Sequence, residues 1–271
     1  IRRADIVVPK KDYMPDWQEF AAFDGQIRFL DTNETIIVPA FDRTTVGAVN
    51  FEYMATGYSV DTAAWNVLKG SDGACNVAHS DSINGGALVF STGADAAGTM
   101  ATNGAMVTTP RIWVPNNRKL VTEIITNRSS SSSHASFIGF TDQSTALEFP
   151  ATLGAGDAIT PVADDFCGLL YDTAADTDTI WCAARKAAGT SQLVNTGLVP
   201  GITGGDYDVW RVEIDNSGTA TFYINGVLAG TISDAITTNI NLALMIGIFG
   251  RTASQRYLRV PRVNISMTRI Y

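Results

Sequence analysis

Between Val209 and Thr268 long stretches of hydrophobic and polar residues alternate with period two, the pattern of strands that turn one face to a core and one to water. Trp210, Val212 and Ile214 alternate with Val209, Arg211 and Glu213, and Ala220, Phe222 and Ile224 alternate with Thr219, Thr221 and Tyr223. Val263, Ile265 and Met267 do the same with Asn264, Ser266 and Thr268. Asp215-Asn216-Ser217-Gly218 supplies a turn after the first of these strands. Asn225-Gly226 tolerates positive φ at both positions and so predicts a type I′ hairpin returning over Val227 to Ile232. Leu242 to Phe249 is apolar on both faces, which predicts a central strand covered on each side.

Further strands are predicted at Lys119 to Thr126, Ala135 to Thr141, Gly168 to Asp172 and Thr179 to Arg185. Arg128 to His134, with its five consecutive serines, reads as a solvated loop tip; it lacks the glycines and lysine of a phosphate cradle. No long amphipathic helix, heptad run or internal repeat interrupts the pattern. The fold class is therefore all-β, an antiparallel two-sheet sandwich over residues 46–271. Residues 1–45 differ: Pro9, Pro15 and Pro39 mix with Tyr13, Trp17, Phe20, Phe23 and Phe29 without a sustained period. They read as an irregular extended arm, whose large apolar groups bury themselves on their own sandwich or on a neighbouring subunit. Arg2, Arg3, Tyr13, Trp17 and Phe20 are the candidate subunit contacts.

Composition supports one sizeable core: 45% of the 271 residues are hydrophobic and only 17% charged. The formal net charge of −8 argues against a nucleic-acid partner, because phosphate binding needs a concentrated cationic surface. The sign is uneven, since Arg251, Arg256, Arg259, Arg262 and Arg269 follow Ile248 with no carboxylate among them. They read either as solvated strand residues or as a surface for an acidic neighbour. No apolar run approaches the roughly 20 residues that span a bilayer, and the start Ile1-Arg2-Arg3 is too interrupted for a signal peptide. Cys75, Cys167 and Cys182 form no C-x-x-C pair and are odd in number, which favours buried free thiols. Cys167 and Cys182 flank a predicted hairpin, and whether they pair is left open by the sequence.

Candidate chemistry is sparse. His79 and His134 are the only histidines, no Gly-x-Ser-x-Gly elbow accompanies them, and no His/Cys cluster has metal-ligand spacing. Glu213-Ile214-Asp215 matches the start of the Glu-x-Asp-x-x-Glu pattern of jelly-roll glucanases, but Gly218 stands where the third acid belongs. A retaining mechanism needs two carboxyls about 5 Å apart, so the expectation is a protein that is not an enzyme. Glycan binding without catalysis uses a few polar groups and an exposed aromatic plane. Trp113, Tyr171 and Trp181 are the candidate glycan contacts, while Trp210, on the apolar side of its strand, reads as core. Asp164, Asp165, Asp172, Asp176 and Asp178 form an acidic set that lacks EF-hand spacing. They read as solvated turn residues, and the expected cofactor is none, calcium being unsupported.

Gly85–Ala94, Phe137-Ile138-Gly139-Phe140-Thr141-Asp142, Gly168-Leu169-Leu170-Tyr171-Asp172-Thr173 and Trp210–Ile214 with Phe222-Tyr223-Ile224-Asn225-Gly226 resemble the concanavalin A-like (laminin G-like) jelly-roll modules of tailed-bacteriophage structural proteins. The likeness spans about residues 46–271. It departs at Arg259-Val260-Pro261-Arg262, where such modules often carry an acid. The resemblance implies a repeated virion component, a capsid decoration or head-fibre protein, assembled in the host cytoplasm and bound to other virion proteins or its own copies. The alternative is a lectin-like module that adsorbs to host or mucus glycans.

Overall fold

The computed structural model describes residues 17–23, 26–31, 35–37, 49–54, 60, 62, 64–80, 86–96, 98–201 and 207–269. Strands are numbered in chain order. β1 (Trp17–Phe23), β2 (Gln26–Asp31) and β3 (Thr35–Ile37) form an antiparallel meander, so the stretch that the sequence presents as irregular contains strand structure. Next come β4 (Val49–Met54), β5 (Asn66–Lys69), β6 (Asn76–Ser80), β7 (Ala87–Ser91), a single helical turn α1 (Met100–Asn103) and β8 (Gly104–Thr108). β9 (Arg118–Arg128), β10 (His134–Thr141), β11 (Ala151–Gly154), β12 (Ala158–Pro161), β13 (Phe166–Asp172), β14 (Ile180–Arg185) and β15 (Gln192–Asn195) follow. The chain ends with β16 (Asp208–Ile214), β17 (Ala220–Ile224), β18 (Val227–Ile232), β19 (Ala243–Gly250) and β20 (Tyr257–Arg269).

Two antiparallel sheets face each other. One has the order β15-β14-β13-β10-β19-β8-β5; the other runs β18-β17-β16-β9-β20-β7-β6, with β4 also paired to β20. A register shift between Arg259 and Arg262 bends β20, whose one edge serves β7 and then β4 while the other follows β9. The hairpin predicted at Asn225-Gly226 is present, with φ of 53° and 78° at the two residues. The predicted central strand is β19, buried throughout between β10 and β8.

The alternation in β16, β17 and β9 sends Trp210, Val212, Phe222 and Ile124 inward to meet Ile138, Leu169, Leu244 and Ile246 of the opposing sheet. A second apolar cluster lies on the far side of the seven-stranded sheet, where Phe137, Phe166, Leu170, Met245 and Phe249 are covered by Phe149, Ala151, Leu153 and Ala163. The segment from Leu147 to Ala163, including the β11–β12 ribbon, thus forms a roof over that face. Phe149 sits edge-on to Phe249 at 5.3 Å and tilted against Phe137 at 6.2 Å. Gly247 makes this approach possible, because a Cβ there would lie 2.8 Å from the Phe149 ring. The inner strands β14, β13, β10, β19 and β8 of the seven-stranded sheet are buried on both faces for this reason, and among the described residues the open polar face belongs to the eight-stranded sheet.

Candidate functional site

A cross-strand row runs over the open face. Leu228, Tyr223, Arg211, Glu123, Asn264 and Glu52 stand opposite one another on β18, β17, β16, β9, β20 and β4. Near its middle is a hollow of about 210 Å³ lined by Glu123, Val209, Arg211, Glu213, Tyr223 and Gly226. Arg211 lies between two carboxylates: one terminal nitrogen binds Glu213, and the other is 3.8 Å from Glu123. Its guanidinium also sits 5.6 Å from the centre of the Tyr223 ring. Lys119 reaches Glu213 at 2.8 Å from the other side. Burial pushes the Glu213 carboxyl up, but hydrogen bonds from Lys119 and Arg211 outweigh it and hold the group below its ordinary range. Glu213 is therefore an ionised acceptor at neutral pH.

This cluster offers two carboxylate acceptors, a planar five-donor guanidinium and a phenol, a set suited to the hydroxyls of a sugar. The hollow is smaller than the roughly 300–1,000 Å³ of drug-sized ligand sites. A larger hollow of about 500 Å³ lies at the β5 rim, lined by Trp65, Asn66, Thr108, Thr109 and Ser144 among others, with no charged group among the described residues. Several of its polar atoms already serve the fold. Asn66 and Thr108 donate to the Ser144 carbonyl at 2.9 Å, and Thr109 accepts from Trp113 and from the Leu244 amide.

The glycan contacts expected from sequence fall elsewhere. Trp113 is 2% exposed, Trp181 8% and Tyr171 0%, so all three rings are packed into the molecule and present no plane to solvent. Trp210 is buried as expected. Of the candidate subunit contacts, Arg2, Arg3 and Tyr13 lie outside the described residues. Trp17 and Phe20 are on β1, where Phe20 pairs with Phe29, and their side chains are outside the described set. Glu213 and Asp215 separate. Glu213 faces the hollow, whereas Asp215 folds into its turn and accepts from Ser217 and Thr219. Gly218, at φ 82°, completes that turn.

The acidic set is not a row of solvated turn residues, because Asp165 and Asp172 are buried. Asp165 accepts from the Thr237 amide, and Asp172 accepts from the Leu153 and Ala174 amides and is gripped by Arg251 through Nε and Nη2. Among the described residues no three His, Cys, Asp or Glu side chains gather as metal ligands. Several C-terminal arginines serve as staples: Arg251 on Asp172, Arg256 on the Ser132 carbonyl, Arg259 on Asn127 and Arg262 on Glu52. The serine loop is also shorter than it reads in the sequence. Arg128 and His134, its expected solvated ends, are enclosed at the ends of β9 and β10. Cys167 and Cys182 are free, placed diagonally on β13 and β14 because Cys167 pairs with Ala184 and Cys182 with Leu169. Burial pushes the Cys182 thiol up to about 12 and that of Cys167 well above its ordinary value.

The overall sandwich recurs in solved structures. A Streptomyces sioyaensis endo-1,3-β-glucanase superposes with a TM-score of 0.54 at 15% identity, covering 82% of this chain and 97% of that one. The chain has the fold of jelly-roll glucanases. A Bacillus licheniformis β-glucanase matches with a TM-score of 0.51 at 11% identity over 80% of this chain and 97% of that one. An endo-β-1,4-glucuronan lyase from Trichoderma reesei matches with 0.53 at 10% identity, over 79% and 94%. No protein-family model and no curated sequence matches the jelly roll. These likenesses correct the expectation that the chain is not an enzyme, since sandwiches of this shape include glucanases and a lyase. The missing third acid after Asp215 concerns one strand only, and other elements can bring carboxylates together.

Proposed function

We propose that this jelly roll acts on carbohydrate, engaging a glycan on the open face of the eight-stranded sheet at Arg211, Glu123, Glu213 and Tyr223. The observation that carries this is the hollow where two carboxylates share one guanidinium beside a phenol, on a sheet face that no roof covers among the described residues. The shared fold with carbohydrate-active proteins supports the same class of ligand. A place in a virion, as a capsid decoration or head-fibre component, is the second reading and rests on the sequence resemblance.

The test is a glycan array of soluble α- and β-linked polysaccharides with the purified chain, followed by titration calorimetry and a reducing-end release assay on each hit. Arg211→Ala and Tyr223→Ala alter half-exposed side chains and leave the core intact. Arg211→Ala is expected to weaken binding about tenfold or more, as loss of a hydrogen bond to a charged group does, and Tyr223→Ala about fivefold, as loss of a neutral one does. Binding of no glycan, or binding unchanged in both variants, overturns the proposal.

A further inference from the structure

The inward side chains of β9 are Leu120, Thr122, Ile124, Thr126 and Arg128, so the strand turns from apolar to polar as it nears the serine loop. Arg128 is wholly enclosed between the sheets. Its Nε and Nη2 both donate to the single hydroxyl of Ser136, at 3.2 and 3.1 Å, and its guanidinium lies 4.1 Å over the Trp210 ring. Among the described residues no carboxylate stands within ion-pair distance of it. Asp208 raises the Arg128 pKa through its charge, but its own oxygens accept from the Gly201 amide and from Asn225 at 2.9 Å. Desolvation dominates and brings Arg128 down to about 10, which still leaves it a cation at neutral pH.

Among the described residues, four buried polar atoms at this end have no partner: Arg128 Nη1, Trp210 Nε1, Thr126 Oγ1 and His134 Nε2. His134 Nδ1 is 3.2 Å from the Ser132 carbonyl, which only accepts, so Nδ1 carries the proton and Nε2 is an acceptor. Arg128 Nη1, which is charged, and Trp210 Nε1 only donate, and the Thr126 hydroxyl can donate as well as accept. Buried donors without acceptors are rare, and each calls for an explanation such as a bound ion or water. Water would satisfy hydrogen bonds but brings no charge to an enclosed guanidinium that has no contact ion pair among the described residues; Asp208, on the same inner face, acts on it only from beyond ion-pair distance. Thr126 lies opposite Asp208 and diagonal to Trp210, which places its hydroxyl on the same inner face as the indole and the guanidinium. The carbonyls of Ser131 and Ser132 close this end by accepting from Tyr171, His134 and Arg256.

We propose that this end of the sandwich interior holds one small monovalent anion of the halide class, bound by Arg128 Nη1, Trp210 Nε1 and Thr126 Oγ1. The site is internal and distinct from the open-face hollow. Thermal unfolding is followed in rising sodium bromide against sodium gluconate at equal ionic strength, and crystals grown in bromide are examined for anomalous scattering. A specific anion raises Tm with bromide concentration in the manner of any ligand that binds only the folded state, and an anomalous peak appears beside Arg128 Nη1. Trp210→Phe keeps the ring under the guanidinium and deletes one donor; Thr126→Val deletes another. Each is expected to weaken the bromide dependence about tenfold, the loss of one hydrogen bond to a charged group. Three outcomes overturn the proposal: equal Tm in both salts, a bromide effect unchanged in both variants, or ordered water without anomalous signal at that position.

Discussion

Burial of His134 makes a pH prediction with a definite sign. The imidazole is enclosed, packs 5.1 Å from the Tyr171 ring, and is faced by the charges of Arg128 and Arg256. Desolvation, then the Arg128 charge, lowers its pKa from 6.5 to about 3, against a bond to the Ser132 carbonyl that works the other way. The unfolded chain therefore binds a proton that the folded chain refuses between these values. Stability is fully present above pH 6.5 and falls as pH drops toward 3, by about 1.4 kcal/mol per unit. From pH 7 to pH 5 the contribution lost is about 2 kcal/mol, since the unfolded imidazole titrates for some 1.5 units of that interval. The assay is urea unfolding at several pH values in halide-free buffer, for the wild type and for His134→Asn, whose amide can still donate to Ser132. Carboxylate titrations are common to both chains and cancel in the difference. The wild-type advantage over the variant should shrink by about 2 kcal/mol between pH 7 and 5. A difference that stays flat across that window would show that His134 is not held neutral in the folded protein.

Replacing Asp172 by Ala leaves Arg251 and the Leu153 and Ala174 amides without their acceptor, and should cost about 3–5 kcal/mol in denaturant unfolding. An unchanged midpoint would mean that the pair contributes nothing. Phe149→Ala removes the ring that locks the roof to Phe137 and Phe249, with an expected loss of about 3–5 kcal/mol. Hydrogen exchange on β10 and β19 should rise with it, and protection equal to wild type would refute the role of the roof.

How much of this was legible in the sequence depends on how local the responsible interaction is. β16 and β17 could be read because the alternation of Trp210, Val212 and Ile214 with Arg211 and Glu213 is enforced residue by residue by the pleat. The Asn225-Gly226 turn could be read because positive φ is a property of those two residues. β19 was recognisable as central from its apolar run on both faces. The aromatic candidates went the other way: an isolated Trp113, Trp181 or Tyr171 carries no sign of whether its ring meets solvent or another strand. The meander of β1 to β3 escaped notice because its residues hold no steady period amid the prolines.

Sequence by itself determined the all-β class, the strands of the C-terminal third and the turns between them, since each follows from side-chain period and backbone freedom over a few residues. Only the tertiary structure decided which faces are covered and which polar groups meet. The roof comes from Leu147 to Ala163 folding back over β10, β13 and β19, and Arg251 finds Asp172 across 79 residues of chain. The Tyr223–Arg211–Glu123 row exists only once β17, β16 and β9 are in register. Solvation is the physical reason for the divide. A charged or aromatic residue looks the same in sequence whether water or another strand lies beside it, and packing from distant segments decides which, as it does for Arg128 and His134.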